Sequence, residues 1–379
     1  MWKASSEIFW NTAHVFDETR ALDPLGLDAL RAAMSNALVP YLTGTTRHAE
    51  HYVAVLVGLH WAKSRANSPV DREIWPHFAR FERGLKMFWH RCPAGRPARR
   101  QYLGKRKIKE LCSDSRPNVE TPILRDERGI GLLANYVESL RAMGLVRPSQ
   151  IVVDDGELTE VIGDPRFEWP GSSPSSWKAL DSIFSPVDRR SAWPKLGRRL
   201  FDLRGLDDDS ARMHAAARAV RERQRARSWE ELSASAALQQ VQRAIAALTR
   251  PTTELEIRLR SRFAVLLEGG RSEEVERPSQ KVVRLAASLV DGKIFEHLWT
   301  DTNPLATVLE QRLTSLAAGK QTDEELLAWH CDITRMRGND PWIREVGEKS
   351  LHGLAEERPE ADFRFSNLCT LLAETRWPS

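Results

Sequence analysis

A charge excess of either sign is missing from this 379-residue sequence. Its 56 basic and 52 acidic residues leave a net charge of +4. That excludes a uniformly basic nucleic-acid coat, or an acidic tail, as a global feature. Long apolar runs are missing too. No stretch approaches the roughly 18 residues of a membrane-spanning helix, and the opening Met1 to Glu7 lacks the apolar core of a signal peptide. Cysteines 92, 112, 331 and 369 are too sparse and irregular for a disulfide framework. The expectation is a soluble, reduced, cytoplasmic protein without a membrane partner.

Recognisable catalytic motifs are also lacking. There is no P-loop signature, no GxGxxG after a strand, no HExxH and no GxSxG elbow. His90-Arg91-Cys92 and Trp329-His330-Cys331 bring metal-ligating types together, but neither has a nearby second pair. A zinc site would need ligands from distant segments. We expect no catalytic residues, no metal and no cofactor.

What the chain has is helical periodicity and thirteen tryptophans. Leu27, Leu30, Met34 and Leu38 recur at helical steps over 24–38, with Asp23 as N-cap and Pro24 at the first position. Helices are predicted over 47–63 and 71–90. The second is lined by Trp75, Phe78, Phe81, Phe88 and Trp89, which read as core rings. Further helices are predicted over 210–227, 229–249, 252–268, 279–297, 304–317 and 323–336. The first of these is rich in arginine, which gives either a solvated face or a second phosphate contact. The Pro, Ser and Trp-rich stretch 163–197 reads as an irregular connector.

One segment departs from the even charge balance. Eleven basic residues lie between Arg83 and Arg116, opposed only by Glu110 and Asp114. The block therefore carries +9, and the remaining 345 residues sum to −5. Candidate backbone contacts for a nucleic acid are Arg96, Arg99, Arg100, Lys105, Arg106, Lys107 and Lys109, with Tyr102 among them. A contact with an acidic protein, or a merely solvated face, explains the same block.

Residues 129–162 suggest a winged helix-turn-helix end. A helix over 131–143 buries Leu133, Tyr136 and Leu140, and Gly144-Leu145-Val146 ends it. Strands 151–153 and 158–162 then flank an Asp154-Asp155-Gly156 turn. The 131–143 helix would be the recognition helix, with Asn135 toward an adenine edge and Arg141 at its flank. Residues 147–157 would form the wing. Winged helices also dock proteins. Asp154, Asp155, Glu157 and Glu160 suggest a metal-dependent nuclease, although an acidic hairpin turn explains them as well.

The run Leu22-Asp23-Pro24-Leu25-Gly26, Val39-Pro40, Leu42-Thr43, Thr45-Thr46-Arg47, His51-Tyr52 and Trp61 resembles the opening of an uncharacterised group of bacterial defence-island proteins. It departs from that pattern at Val39-Pro40-Tyr41 and at His51. The resemblance spans about residues 22–165. It implies an accessory antiphage role beside other defence-system subunits, and no activity.

Together these readings predict a mainly α-helical protein in four parts. These are a helical N-terminal unit (1–92), a basic loop and winged-helix-like segment with a small β-hairpin (93–165), the connector (166–197) and a C-terminal helical array (198–379). The functions expected are a non-enzymatic defence-complex subunit contacting nucleic acid, a protein-only scaffold or adaptor, and, third, the nuclease.

Overall fold

The computed structural model describes residues 25–43, 46–91, 101–147, 150–153, 155–163, 167–169, 173–185, 190–202, 208–267, 279–299, 303–320, 323–336 and 362–377. Its main helices, in chain order, are α1 (Leu27–Leu38), α2 (Ala49–Arg65), α3 (Asp71–Arg91), α4 (Lys105–Leu111) and α5 (Leu132–Ala142). They continue with α6 (Asp155–Ile162), α7 (Trp177–Phe184), α8 (Trp193–Phe201), α9 (Asp208–Glu222) and α10 (Gln240–Leu267). The last are α11 (Gln280–Asp291), α12 (Pro304–Ala317), α13 (Asp323–Met336) and α14 (Phe365–Thr375). The chain divides into two compact units, each built from two separate stretches. One unit takes residues 1–40 and 218–365, the other 41–217 and 366–379.

In the 41–217 unit, α2 is buried on nearly every side from Ala49 to Ala62. A helix apolar all round belongs inside a core. It packs along α3, where Phe78, Phe81, Leu85 and Trp89 are each 2% exposed or less. The approach is close because Gly58 faces Phe81. A Cβ there would sit 2.6 Å from the ring. Trp61, Phe81, Phe167, Trp169 and Phe184 form one aromatic cluster with neighbouring centroids 5.1–6.4 Å apart. The stretch expected as an irregular connector thus supplies rings to this core, and it contains α7 and most of α8.

α3 carries a buried ion pair. Lys86 Nζ lies 2.5 Å from Glu82 Oε1, with side chains 2% and 4% exposed. The same carboxylate oxygen accepts the Leu132 N–H at 2.9 Å and so caps α5.

The 366–377 stretch closes this unit. Asn367 accepts from Arg47 Nε at 2.7 Å and donates to the Thr43 carbonyl at 2.8 Å. Glu374 accepts the Ala49 N–H at 2.7 Å and lies 2.7 Å from His48 Nδ1. Gly197 lets α8 meet α14, since a Cβ there would fall 2.5 Å from Thr375 Cβ. Trp377 packs on Phe201 and His214.

In the other unit, α10 packs on α1 and α11, and α11 on α12. The break expected between 229–249 and 252–268 is not there. α10 runs through Pro251 for 28 residues. Proline removes one N–H from the helix ladder. Around it, Thr249, Thr252 and Thr253 hydroxyls bond the carbonyls of Ala246, Leu248 and Thr249. Arg260 is held by Glu256 at 2.7 Å and Asp28 at 2.8 Å. The α1 start is corrected too: Gly26, at φ 73°, precedes the helix, and Asp23 and Pro24 lie outside the described residues.

The winged-helix expectation is overturned. Among the described residues there is no β-strand, only a single antiparallel bridge from Val146 to Val153. The returning strand expected at 158–162 is part of α6, and the wing expected at 147–157 runs into that helix. Leu158, Val161 and Ile162 are the buried residues, spaced as one helical face. Asp155 and Glu157 occupy the first turn, where acidic groups favour a helix start. A recognition helix with a β wing is therefore withdrawn. The antiviral-defence expectation loses whatever support it drew from that segment.

Candidate nucleic-acid interface

α4 is a helix of 7 residues started by Gly104, at φ 86°. Ile108 and Leu111 are its buried side chains, and they fix which face turns outward. Lys105, Arg106, Lys107 and Lys109 are exposed. The Arg106 side chain is 97% exposed. Glu110 lies 3.3 Å from Lys107 and 3.7 Å from Arg106. Pairs this exposed are weak and salt-screened, so they leave the positive potential largely intact.

Two further elements carry exposed cations, linked to the segment after α4 through Trp177. The guanidinium of Arg91, the last residue of α3, lies over the Trp177 ring, 4.6 Å from its centroid. Trp177 opens α7, and its Nε1 donates to the Asp114 carbonyl at 3.2 Å, just beyond α4. Lys178 beside it is exposed. Lys105 Nζ lies 5.8 Å from the Tyr102 ring centroid, and Tyr102 Oη is 3.2 Å from His90 Nδ1. Burial pushes the Cys112 thiol up to about 11, against the pull of Arg91. Burial, with Cys112 beside it, also raises the Tyr102 phenol well above its usual range. A thiol held this high stays protonated at neutral pH and is a poor nucleophile.

The other predicted site residues fare differently. Arg96, Arg99 and Arg100 lie outside the described residues. Asn135 does not face outward toward a base. It is half-buried, and its Nδ2 donates to the Gly131 carbonyl at 2.9 Å. Arg141 pairs with Glu138 of its own helix at 2.6 Å. Arg83 and Lys86, both counted in the basic block, turn inward, Arg83 to Glu127 at 2.5 Å and Lys86 to Glu82. Sequence reasoning missed Trp177 and Lys178 as members of this surface. Only the folded chain brings them beside Arg91.

The acidic residues read as a nuclease candidate are engaged in ion pairs. Asp155 lies 2.6 Å from Lys63 and 3.3 Å from His60, and Arg199 pairs with Glu157 and Glu160. Asp154 lies outside the described residues, among which no metal-holding cluster occurs. Partial burial raises the Asp155 carboxyl, but Lys63 and His60 outweigh it and hold the group below its usual range. A depressed carboxyl contributes stability above its unfolded pKa and loses it as pH falls through the folded one. The group is 57% exposed, so Asp155→Asn is expected to cost under about 1 kcal/mol at pH 7. The difference should fade in acid, as pH falls below the ordinary carboxylate value and through the depressed folded one. Urea unfolding at pH 7 and in acid measures it, and a loss of several kcal/mol would restore a special role for this carboxylate.

A second cluster that sequence reasoning did not assemble lies at the start of α2. His48 is 2% exposed, with Nε2 3.0 Å from Gln101 Oε1 and Nδ1 against Glu374. His51 Nδ1 lies 2.8 Å from Tyr136 Oη, and its ring packs on Trp89. The Glu374 carboxylate already fills the α2 terminus, so the arrangement fastens 366–377 to the unit. In the arginine-rich stretch of α9 and the residues after it, Arg223 bonds the Glu231 carbonyl at 3.0 Å, and Arg218 pairs with Glu222 at 2.8 Å.

No family model matches the chain, and neither a curated protein nor a solved structure matches it. Among the described residues no helix is long and apolar enough to cross a membrane.

Proposed function

We propose that this chain is a non-catalytic subunit that contacts the phosphate backbone of a nucleic acid through α4 and the Arg91, Trp177 and Lys178 surface beside it. The observation that carries this reading is the linkage of cation-bearing elements. Exposed cations stand at the end of α3, along α4 and at the start of α7, and Trp177 links these elements, with Arg91 over its ring and its Nε1 bonded to the Asp114 carbonyl just beyond α4. Phosphate contacts of this kind position a protein without reading sequence. Binding is therefore tolerant of sequence and steeply dependent on salt.

Each neutralised phosphate contributes roughly −0.9 to the log–log salt slope on duplex DNA and about −0.7 on single strands. Replacing Lys105, Arg106, Lys107 and Lys109 together with Gln should flatten the slope by about 3, by the same arithmetic. It should weaken binding to every sequence alike and leave the unfolding curve almost unchanged, because the removed charges are exposed. Titrations between about 50 and 300 mM salt test this. A parent protein that binds no nucleic acid at the low-salt end overturns the reading. Loss of a protein partner from the same Gln variant would then favour the adaptor, for which the 41%-exposed Leu103 beside these cations is the supporting feature.

A further inference from the structure

We infer that the surface around Trp177 takes single-stranded nucleic acid in preference to duplex, with an unpaired base stacking at the Arg91–Trp177 pair. This rests on the backbone-contact reading above and adds to it a substrate class.

Cations alone do not distinguish the two forms, since both present phosphates. A fixed aromatic plane among the cations does. Base faces in a duplex are covered by their neighbours, whereas an unpaired base offers its π face to any ring able to receive it.

Trp177 is built to be such a ring. It is the first residue of α7, and Ser176 Oγ caps that helix by accepting the Ala179 N–H at 3.2 Å. The indole N–H is tied to the Asp114 carbonyl, so the plane is held by two elements and cannot swing as a loop side chain would. The ring is only half-buried, unlike Trp61, Trp89 and Trp169, which are at most 3% exposed. The group stacked over it is a planar, exposed guanidinium. Arginine and tryptophan both stack with bases, so a base can lie on the pair or take the guanidinium's place while Arg91 turns to a phosphate. The exposed α4 cations and Lys178 are then the groups that contact the backbone. The helix itself need not move, because α7 is anchored in the core through Leu180 and Phe184.

The test uses the full chain and fluorescently labelled oligothymidylate of about 15 nucleotides, against a mixed-sequence duplex of equal length, at low salt. The parent should bind the single strand roughly tenfold more tightly or better. Trp177→Leu should weaken single-strand binding by about five- to a hundredfold, the range of one base–aromatic stack, and leave duplex binding within about twofold. Trp177→Phe should recover part of the loss. Thermal unfolding confirms that both variants stay folded. If Trp177→Leu loses folding, Arg91→Gln gives the same comparison without touching the α7 start. Equal affinity for the two forms, or a Trp177→Leu loss shared equally by both, overturns the single-strand inference while backbone contact stands. No binding of either form by the parent removes both.

Discussion

Deletion of residues 366–379 is expected to unfold the 41–217 unit outright. The stretch looks dispensable by position, but it is tied in by side chains that the rest of the unit cannot replace. Leu368 and Leu371 are fully buried, and Leu372 and Trp377 nearly so. Removing one buried leucine side chain typically costs about 2–5 kcal/mol, and whole domains are stable by only about 5–15 kcal/mol. The deletion also strips Glu374 from the Ala49 N–H and from His48, leaving a buried helix terminus and a buried imidazole without that partner. Near-ultraviolet circular dichroism and urea unfolding should show loss of the native aromatic environment. A truncated chain that keeps its signal and unfolds within about 1 kcal/mol of the parent would contradict the assignment of this helix to the unit. Glu374→Gln is the finer probe: it keeps the shape but removes the charge at the α2 terminus, and should cost about 1–2 kcal/mol.

The second large effect is expected at Lys86. Lys86→Met leaves the Glu82 carboxylate buried against the Leu132 N–H with its cation gone. Breaking a buried pair from one side typically costs about 3–5 kcal/mol, whereas replacing both partners by neutral groups of similar size is often nearly neutral. The double variant Glu82→Gln, Lys86→Met should therefore be more stable than the single one, because the glutamine still caps α5 through its carbonyl. Unfolding followed by fluorescence of the buried Trp61, Trp89 and Trp169 measures the difference. A single variant as stable as the double would show that water reaches this pair.

The Lys86 case also shows what the sequence can and cannot disclose. Helices α2, α3, α12 and α13 are legible because their apolar spacing is local. The charge of the 83–116 block is legible only as a sum, and a sum does not say which cations are free. Lys86 counts toward it, yet its partner Glu82 stands just before the window opens, and the Glu127 that holds Arg83 lies beyond its end. The expected hairpin fails for a related reason. Val152, Val153, Val161 and Ile162 suggest strands through their branched side chains, but burial follows the helical spacing of Leu158, Val161 and Ile162. Branching is a weak preference that tertiary packing overrides. Pro251 misleads in the opposite direction: the helix runs through it although proline removes one ladder hydrogen bond. Trp177 cannot be placed beside Arg91 from sequence at all, because the whole stretch between them has to fold first.

The division into two units, each made of two separated stretches, has a consequence for how the chain is made. Residues 41–217 leave the ribosome long before 366–377, with the whole of 218–365 between them. At about 5–20 residues per second that interval lasts roughly 7–30 s. Throughout it the α2 start lacks Glu374, and the face of α8 around Gly197 and Phe201 lacks its cover. Residues 25–40 likewise wait for α10 before they can pack. A nascent chain therefore carries two incomplete cores at once, and the 1–40 and 218–365 unit is the first able to finish. Slowed elongation after residue 217 should lengthen the exposure of the other and raise its demand for chaperones.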